Sequence, residues 1–294
     1  MELFSISQLA LFSGIKPHTI RIWEQRYGAL KPNRSEGNTR YYDNSQLRRL
    51  LNIVSLLESD YKVSELCAMP DKKLFQLIKD SLQEHLGPDE ITEYFISQLI
   101  AAGINYDEVY FEKIFSHCLL RHGVRNAYIK VIYPMLVRIG IMWAGDMIPP
   151  SQEHFISNIT RQKLYTIIDS LPPARTTTDS WLLFLPENEF HDIGLLFASY
   201  VIRLSGKKVI YLGGDVPFQS LKGVIKDTMP KNLLLFLVHH NLSDETSEYL
   251  SSLCDTFTGN KIYVACRAEM TTVVEAEKRI HVLQSVNDLE QLLL

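Results

Sequence analysis

The order of apolar and polar residues divides the chain into three stretches of different period. In the first, SISQLALFSG places Ile6, Leu9 and Ala10 on one helical face, with Ser5 as cap and Gly14 as stop. KPHTIRIWEQRYG restarts a helix, with Pro17 suited to its first turn, Ile20 and Trp23 on the inner stripe and Tyr27 at the edge of that stripe. Two short helices joined by SGIK predict a helix-turn-helix. LKPNRSEGNTRYYD is too rich in Pro, Gly and Asn for a helix and fits a tight ribbon, or wing, ending on aromatics. NSQLRRLLNIVSLLES then resumes a helix, with Asn44 or Ser45 as its cap.

From about residue 75 to 171 the period is helical throughout. LFQLIKDSLQEHL, DEITEYFISQLIAAG, YDEVYFEKIFSHCLLRHG, VRNAYIKVIYPMLVRIGIMWAG and PSQEHFISNITRQKLYTIIDSL each carry apolar residues at three-to-four spacing and predict a bundle. After the linker PPARTTTDS the pattern alternates. SWLLFLPE, KKVIYLGGDVP, NLLLFLVHH, KIYVACR and HVLQS read as strands, separated by helices beginning near Asp192, Phe218, Asp244, Met270 and Val286. Five such units predict a doubly wound parallel sheet of flavodoxin type, whose ligands sit beyond the carboxyl ends of the strands. The expected fold class is therefore α plus α/β multidomain, with segments at 1–74, 75–171 and 180–294.

Composition adds bounds. With 46% hydrophobic residues in 294, the chain is expected to fold throughout. No apolar stretch is expected to span a bilayer, and MELFSISQLA lacks a signal peptide's basic start, so the reading is a cytosolic protein with no membrane partner. The cysteines (Cys67, Cys118, Cys254, Cys266) form no C-x-x-C pair, which argues against a zinc site or a disulfide framework and for small buried side chains. Residues 1–50 hold eight Lys/Arg against four acids, whereas the remainder is net negative by eight. A basic head on an acidic body suits a chain with one end on a polyanion.

IRIWEQRYGALKPNRSEGNTRYYDNSQLRRL resembles the MerR-type winged helix-turn-helix of bacterial transcription regulators, in the order R-x-W-E-x-R-Y-G, P-x-R turn, and wing ending in R-Y-Y. The resemblance covers about 70 residues and implies double-stranded DNA as the partner, in a promoter operator. Lys16, His18, Thr19 and Arg21 at the start of the second helix would enter the major groove. Arg26 and Tyr27 complete that helix's set, and Arg34, Asn38, Arg40 and Tyr41 on the wing would reach phosphates. One head makes too few contacts for a specific site, so a homo-oligomer (dimer or tetramer) is expected, with RNA polymerase as a further partner.

Two later motifs resemble the cobalamin-binding CarH/LitR-like subgroup of these regulators. Trp143, Glu153 and His154 match the W-x9-E-H of its capping bundle, which covers the cofactor's upper face. E-F-H-D-I-G at 189–194 is similar to its D/E-x-H-x-x-G loop, where the histidine replaces the cofactor's own dimethylbenzimidazole as lower cobalt ligand. The resemblance thus implies His191 on cobalt in adenosylcobalamin or methylcobalamin, Glu189 fixing the ring's tautomer and Gly194 allowing close backbone approach.

The rest of that pocket departs from the pattern. LLLFLVHHNLS stands where the family has S-x-L, VACRA stands where it has Gly-Gly, and Ala144 follows Trp143 where light-sensing members carry histidine. Side chains in the path of the displaced nucleotide tail would cost about 1–3 kcal/mol each to accommodate. His239 and His240, adjacent on a strand, would point to opposite faces and do not suit one ion. The expected function is a DNA-binding regulator, not an enzyme, whose cobalamin-type module controls oligomerisation. The alternatives are a corrinoid methyl carrier, or a regulator whose vestigial, ligand-free module acts through protein partners.

Overall fold

The computed structural model describes residues 3–34, 40–57, 61–81, 88–145, 147–238, 243–267 and 270–294. Asn38, His239 and His240 lie outside them. The chain forms two compact units, residues 1–159 and 160–294. The boundary falls inside one helix of the expected bundle.

The first unit opens with strand β1 (Leu3–Phe4), α1 (Ile6–Ser13) and α2 (Pro17–Tyr27). Ser5 and Gln8 cap each other reciprocally at the start of α1, and Gly14 ends it at φ +72°, a conformation that costs glycine little. Pro17 opens α2, and Gly28 at φ +62° closes it. The wing is the antiparallel pair β2 (Asn33–Arg34) and β3 (Arg40–Asp43), which β1 joins on the other side of β3. β1 was not expected, because two residues carry no periodicity. α3 (Asn44–Val54) follows, and here the structure corrects the cap. The carboxylate of Asp43, not Asn44 or Ser45, accepts the Gln46 amide at 2.9 Å. Short α4 (Val63–Ala68), also unexpected, leads into α5 (Asp71–Ser81).

α6 (Pro88–Ile104) and the next two expected helices form the centre of this unit. The latter two are separate as expected, because Gly123 at φ +69° and ψ 161° breaks the helix inside α7 (Glu108–Ala127), and the second of them runs through a π-turn at Tyr128–Ile132 into α8 (Tyr133–Ala144). Counted across the break at Gly123, this 37-residue segment is long and apolar enough by composition to cross a membrane, against the expectation that nothing would be. It also carries Glu112, Lys113, Arg121, Arg125, Lys130 and Arg138 along its length, while Phe111, Phe115, Val131, Met135 and Met142 are buried in this unit. That distribution is one of a bundle helix. α9 (Pro150–Asp169) follows.

Head and bundle meet through polar as well as apolar contacts. Ser55 of the segment after α3 bonds Ser97 of α6 at 2.9 Å, and Gln98 of α6 donates to the Ser55 hydroxyl at 3.3 Å. Arg138 of α8 donates to the Phe12 carbonyl of α1 at 3.4 Å, and Gln8 donates to the Met147 carbonyl at 2.8 Å. Ser55, Ser97 and Gln98 are all buried, so each bond must be made for the interface to close.

The second unit is a five-stranded parallel sheet ordered β5-β4-β6-β7-β8, formed by β4 (Thr176–Pro186), β5 (Lys207–Val216), β6 (Asn232–Leu237), β7 (Lys261–Cys266) and β8 (Ile280–Leu283). This is the doubly wound arrangement expected. β4 starts within the stretch read as linker. Between the strands lie α10 (Ile193–Leu204), α11 (Phe218–Thr228), α12 (Ser243–Thr256) and α13 (Thr271–Glu275), and α14 (Val286–Leu293) ends the chain. Leu182, Phe184, Leu233, Leu235, Ile262 and Val264 build one buried core with α11 and α12. α10 is buried at nine of its twelve positions, which is why its sequence shows almost no polar face. Cys67, Cys118 and Cys254 are buried as expected, and burial pushes the Cys118 thiol up to about 12.

Candidate functional site

Two groups of side chains carry chemistry, one in each unit. In the head, Ile20 and Trp23 are buried and turn the opposite side of α2 outward. That side presents Lys16, His18, Arg21, Arg26 and Tyr27 to solvent, with Thr19 half-buried. Tyr27 thus belongs to the outer face, not to the inner stripe. Lys16 is the N-cap residue, so the positive end of the helix dipole adds to a cationic edge.

The wing is braced against this helix by one carboxylate that the sequence reading did not single out. Glu24 of α2 accepts Arg40 Nε at 2.9 Å and the Tyr42 hydroxyl at 2.8 Å. Tyr42 is fully buried, and burial, followed by the Glu24 bond, raises its phenol well above the usual range. Arg40 is held above its ordinary value by the same bond. The wing arginine therefore braces the ribbon against the helix. Glu24 sits within W-E-x-R-Y, and its distance of 16 residues from Arg40 hid the pairing. Arg34 and Tyr41 flank Arg40 across the ribbon, where Arg34 is the register partner of Arg40 and Tyr41 that of Asn33.

In the first unit's last turns, Trp143 lies exposed near the end of α8, and Glu153 and His154 lie in the first turn of α9. Glu153 accepts from Ser157 at 2.5 Å and pairs with His154 Nδ1 at 2.7 Å.

In the second unit, E-F-H-D-I-G forms the turn between β4 and α10, at the carboxyl end of the sheet. Glu189 is buried and His191 is half-exposed. Glu189 Oε1 receives both the His191 amide at 3.1 Å and His191 Nδ1 at 2.5 Å, while Oε2 receives the Val238 amide beyond β6 at 3.0 Å. A carboxylate accepts only, so the neutral ring keeps its proton on Nδ1 and its lone pair on Nε2. Loop and β5 are also tied. Asp215 N–H donates to the Glu189 carbonyl at 3.0 Å, and Asn188 N–H to the Asp215 carboxylate at 2.9 Å. Asn188 and Asp215 both adopt φ near +60°, and these bonds hold them there. The backbone of Glu189 passes so close to Gly214 that a Cβ there would lie 3.0 Å from its carbonyl oxygen.

Arg161 of α9, another residue without a sequence signal, clamps Asp192 with Nε 2.9 and 3.1 Å from the two carboxylate oxygens. The Tyr165 and Tyr211 phenols are raised by burial first and by the Asp192 carboxylate next. The residue after the histidine is thus anchored to α9 while the residue two before it is anchored to the sheet.

The donor chemistry suits a cobalt corrinoid. An imidazole whose tautomer is set by a buried carboxylate is a good nitrogen ligand for a transition metal. The bed below it does not suit the cofactor's nucleotide tail. A Cβ on Gly194 would come within 2.8 Å of Phe236 Cε1, so the glycine makes room for an aromatic ring of β6. Next to Phe236 in the sheet stands Ala265, and next to Leu237 stands Cys266. No group of three or more metal-ligating side chains occurs among the described residues.

Comparison with known proteins places two family models on the chain, both before the 189–194 loop. Residues 4–69 match the family model "MerR HTH family regulatory protein", and residues 95–168 match "B12 binding domain". The chain is 26% identical to the HTH-type transcriptional repressor CarH of Myxococcus xanthus, over 98% of this chain and 97% of that one. It is 27% identical to the repressor CarA of the same organism, over 83% and 80%. Among solved structures, a monomethylamine corrinoid protein of Methanosarcina barkeri shares the fold at 13% identity, with a TM-score of 0.54 over 68% of this chain and 97% of that one. The chain is therefore a homologue of the CarH and CarA transcriptional repressors that joins a MerR helix-turn-helix to a B12-binding-type module.

Proposed function

We propose that this protein is a DNA-binding transcription regulator whose C-terminal module senses a cobalt corrinoid and, through it, controls oligomerisation and operator binding. The observation that carries the DNA-binding reading is the exposed cationic side of α2 set over a buried Ile20–Trp23 face, with a wing braced to it by Glu24. On this reading Lys16, His18, Thr19 and Arg21 would read base edges, while Arg34, Asn38, Arg40 and Tyr41 would serve phosphates. Two heads on a two-fold operator supply the contacts that one head lacks.

In the sensor, His191 would hold the cobalt from below, with Glu189 fixing its tautomer. Trp143, Glu153 and His154 are the residues that the W-x9-E-H resemblance would assign to the same cofactor. When bound, the corrinoid supplies a cobalt centre whose axial ligands can exchange. This chain's own residues supply the coupling. Arg161 holds Asp192, the neighbour of His191, and Arg161 lies on the same helix as Glu153 and His154. A ligand that moves His191 therefore acts on α9. It shifts an assembly equilibrium only by as much as it favours one state over the other.

The named relatives over nearly the full chain are repressors, which favours a regulator over a methyl carrier. The test is operator affinity by fluorescence anisotropy across salt concentration. A head that neutralises phosphates gives log K falling linearly with log salt, by about 0.9 per phosphate contacted. Arg21→Ala and Lys16→Ala should weaken binding and flatten the slope. Lack of salt-sensitive affinity for any promoter fragment would overturn the reading.

A further inference from the structure

The space beneath His191 decides which corrinoid the site accepts. Cobalt has one lower axial position. Once the His191 imidazole takes it, a corrinoid that carries a nucleotide base must put that base elsewhere on the same side, beside His191 or out in solvent. The side toward the sheet is filled among the described residues. Phe236 stands two residues before Val238, whose amide is held by Glu189, so its ring lies one layer under the Glu189–His191 pair. It lies against Gly194 in the first turn of α10, within 2.8 Å of where a Cβ would stand. The neighbouring helix residues Ile193, Leu195, Leu196 and Phe197 are buried. On the β5 side, a Cβ on Gly214 would lie 3.0 Å from the Glu189 carbonyl oxygen and 3.6 Å from Phe190 Cα. A benzimidazole ring is larger than phenyl, so it enters this layer only by displacing the partly buried Phe236 ring from its place against Gly194.

We infer that this chain selects a corrinoid without a nucleotide tail, with the Phe236 ring occupying the place a base would need. The inference rests on the sensor reading above and narrows it to the cobinamide class. Its chemistry is one ligand exchange at cobalt, in which Nε2 of His191 replaces a bound water with no change in oxidation state.

The test titrates the full-length protein in the dark with aquocobinamide and, separately, with aquocobalamin. The histidine-dependent shift of the visible bands is read, with His191→Ala as the blank. The expected result is aquocobinamide binding at least about tenfold tighter than aquocobalamin, a difference of ~1.4 kcal/mol. Phe236→Ala should shrink or reverse that ratio by opening the layer. Phe236→Leu, which keeps an apolar side chain against α10, provides the same comparison if the alanine variant does not fold. Tighter or equal binding of aquocobalamin by the unaltered chain refutes the inference and leaves the sensor reading standing. So does a ratio indifferent to both Phe236 variants. Retention of neither corrinoid overturns the inference and the sensor reading together, while the DNA-binding reading is judged by its own assay.

Discussion

Replacing Glu189 with Gln keeps the size of the side chain and removes an acceptor from a place that needs two. One carboxylate oxygen takes the amide and the Nδ1 proton of His191, and the other takes the amide of Val238. An amide side chain has one accepting oxygen and one donating nitrogen. If its oxygen faces His191, its nitrogen meets the Val238 N–H. If it is turned over, its nitrogen meets the His191 N–H, and the ring can adapt only by moving its proton to Nε2. Either way, one buried backbone N–H loses its acceptor, at about 1–3 kcal/mol. The turned-over form also removes the lone pair from the atom that would bind a metal. Hydrogen exchange at the Val238 and His191 amides should therefore accelerate, at one of them by roughly tenfold or more. Long-range proton–nitrogen spectra of His191 should show a loss of the Nδ1–H tautomer, and affinity for a cobalt corrinoid should drop by about 10–100-fold. Unchanged exchange together with an unchanged tautomer would refute the argument, because it would mean that neither oxygen of Glu189 acts as described.

Gly194→Ala should destabilise the protein by about 1–3 kcal/mol in urea unfolding, with partial recovery in the double variant with Phe236→Leu, since the clash is with that ring. Gly103→Ala should behave similarly in the bundle. Its Cβ would fall 2.2 Å from Ile156 Cγ1, and Ile156→Val, which retains that branch point, should recover little. Asp43→Ala should cost about 1 kcal/mol, read by denaturant titration, as expected for loss of an N-cap. The Ser45 hydroxyl first, and the Gln46 amide next, lower the Asp43 carboxyl below its ordinary value. The cap's contribution is accordingly present above the ordinary carboxylate range and is lost as pH falls through the lower folded value, and the alanine variant should lack that acid sensitivity. Glu24→Ala should leave the buried Tyr42 hydroxyl without its acceptor and loosen the wing, weakening operator affinity more than Glu24→Gln, which retains an oxygen.

Elements set by neighbours in the chain were legible before any coordinates. The capped helix from Ser5 to Gly14, the Pro17 start of α2, and the five strands with their helices all follow from periods and stop signals acting within a few residues. The loop at 189–194 was legible for the same reason, as Glu189, His191 and Gly194 all lie within one turn of chain.

Interactions set across the fold left no such mark. The break at Gly123 was legible in the sequence, but the π-turn at Tyr128–Ile132 that joins the second of these helices to α8 was not. The Asp43 cap depended on where β3 ended. Glu24 meets Arg40 only after the ribbon folds back. Arg161 reaches Asp192 across 31 residues. The closing of the layer under His191 by Phe236 arises from β6 lying beside β4 in the sheet. Local sequence encodes backbone preference and one-sided burial. Which side chain fills a given space depends on which distant segments pack there, and that is a property of the assembled layers.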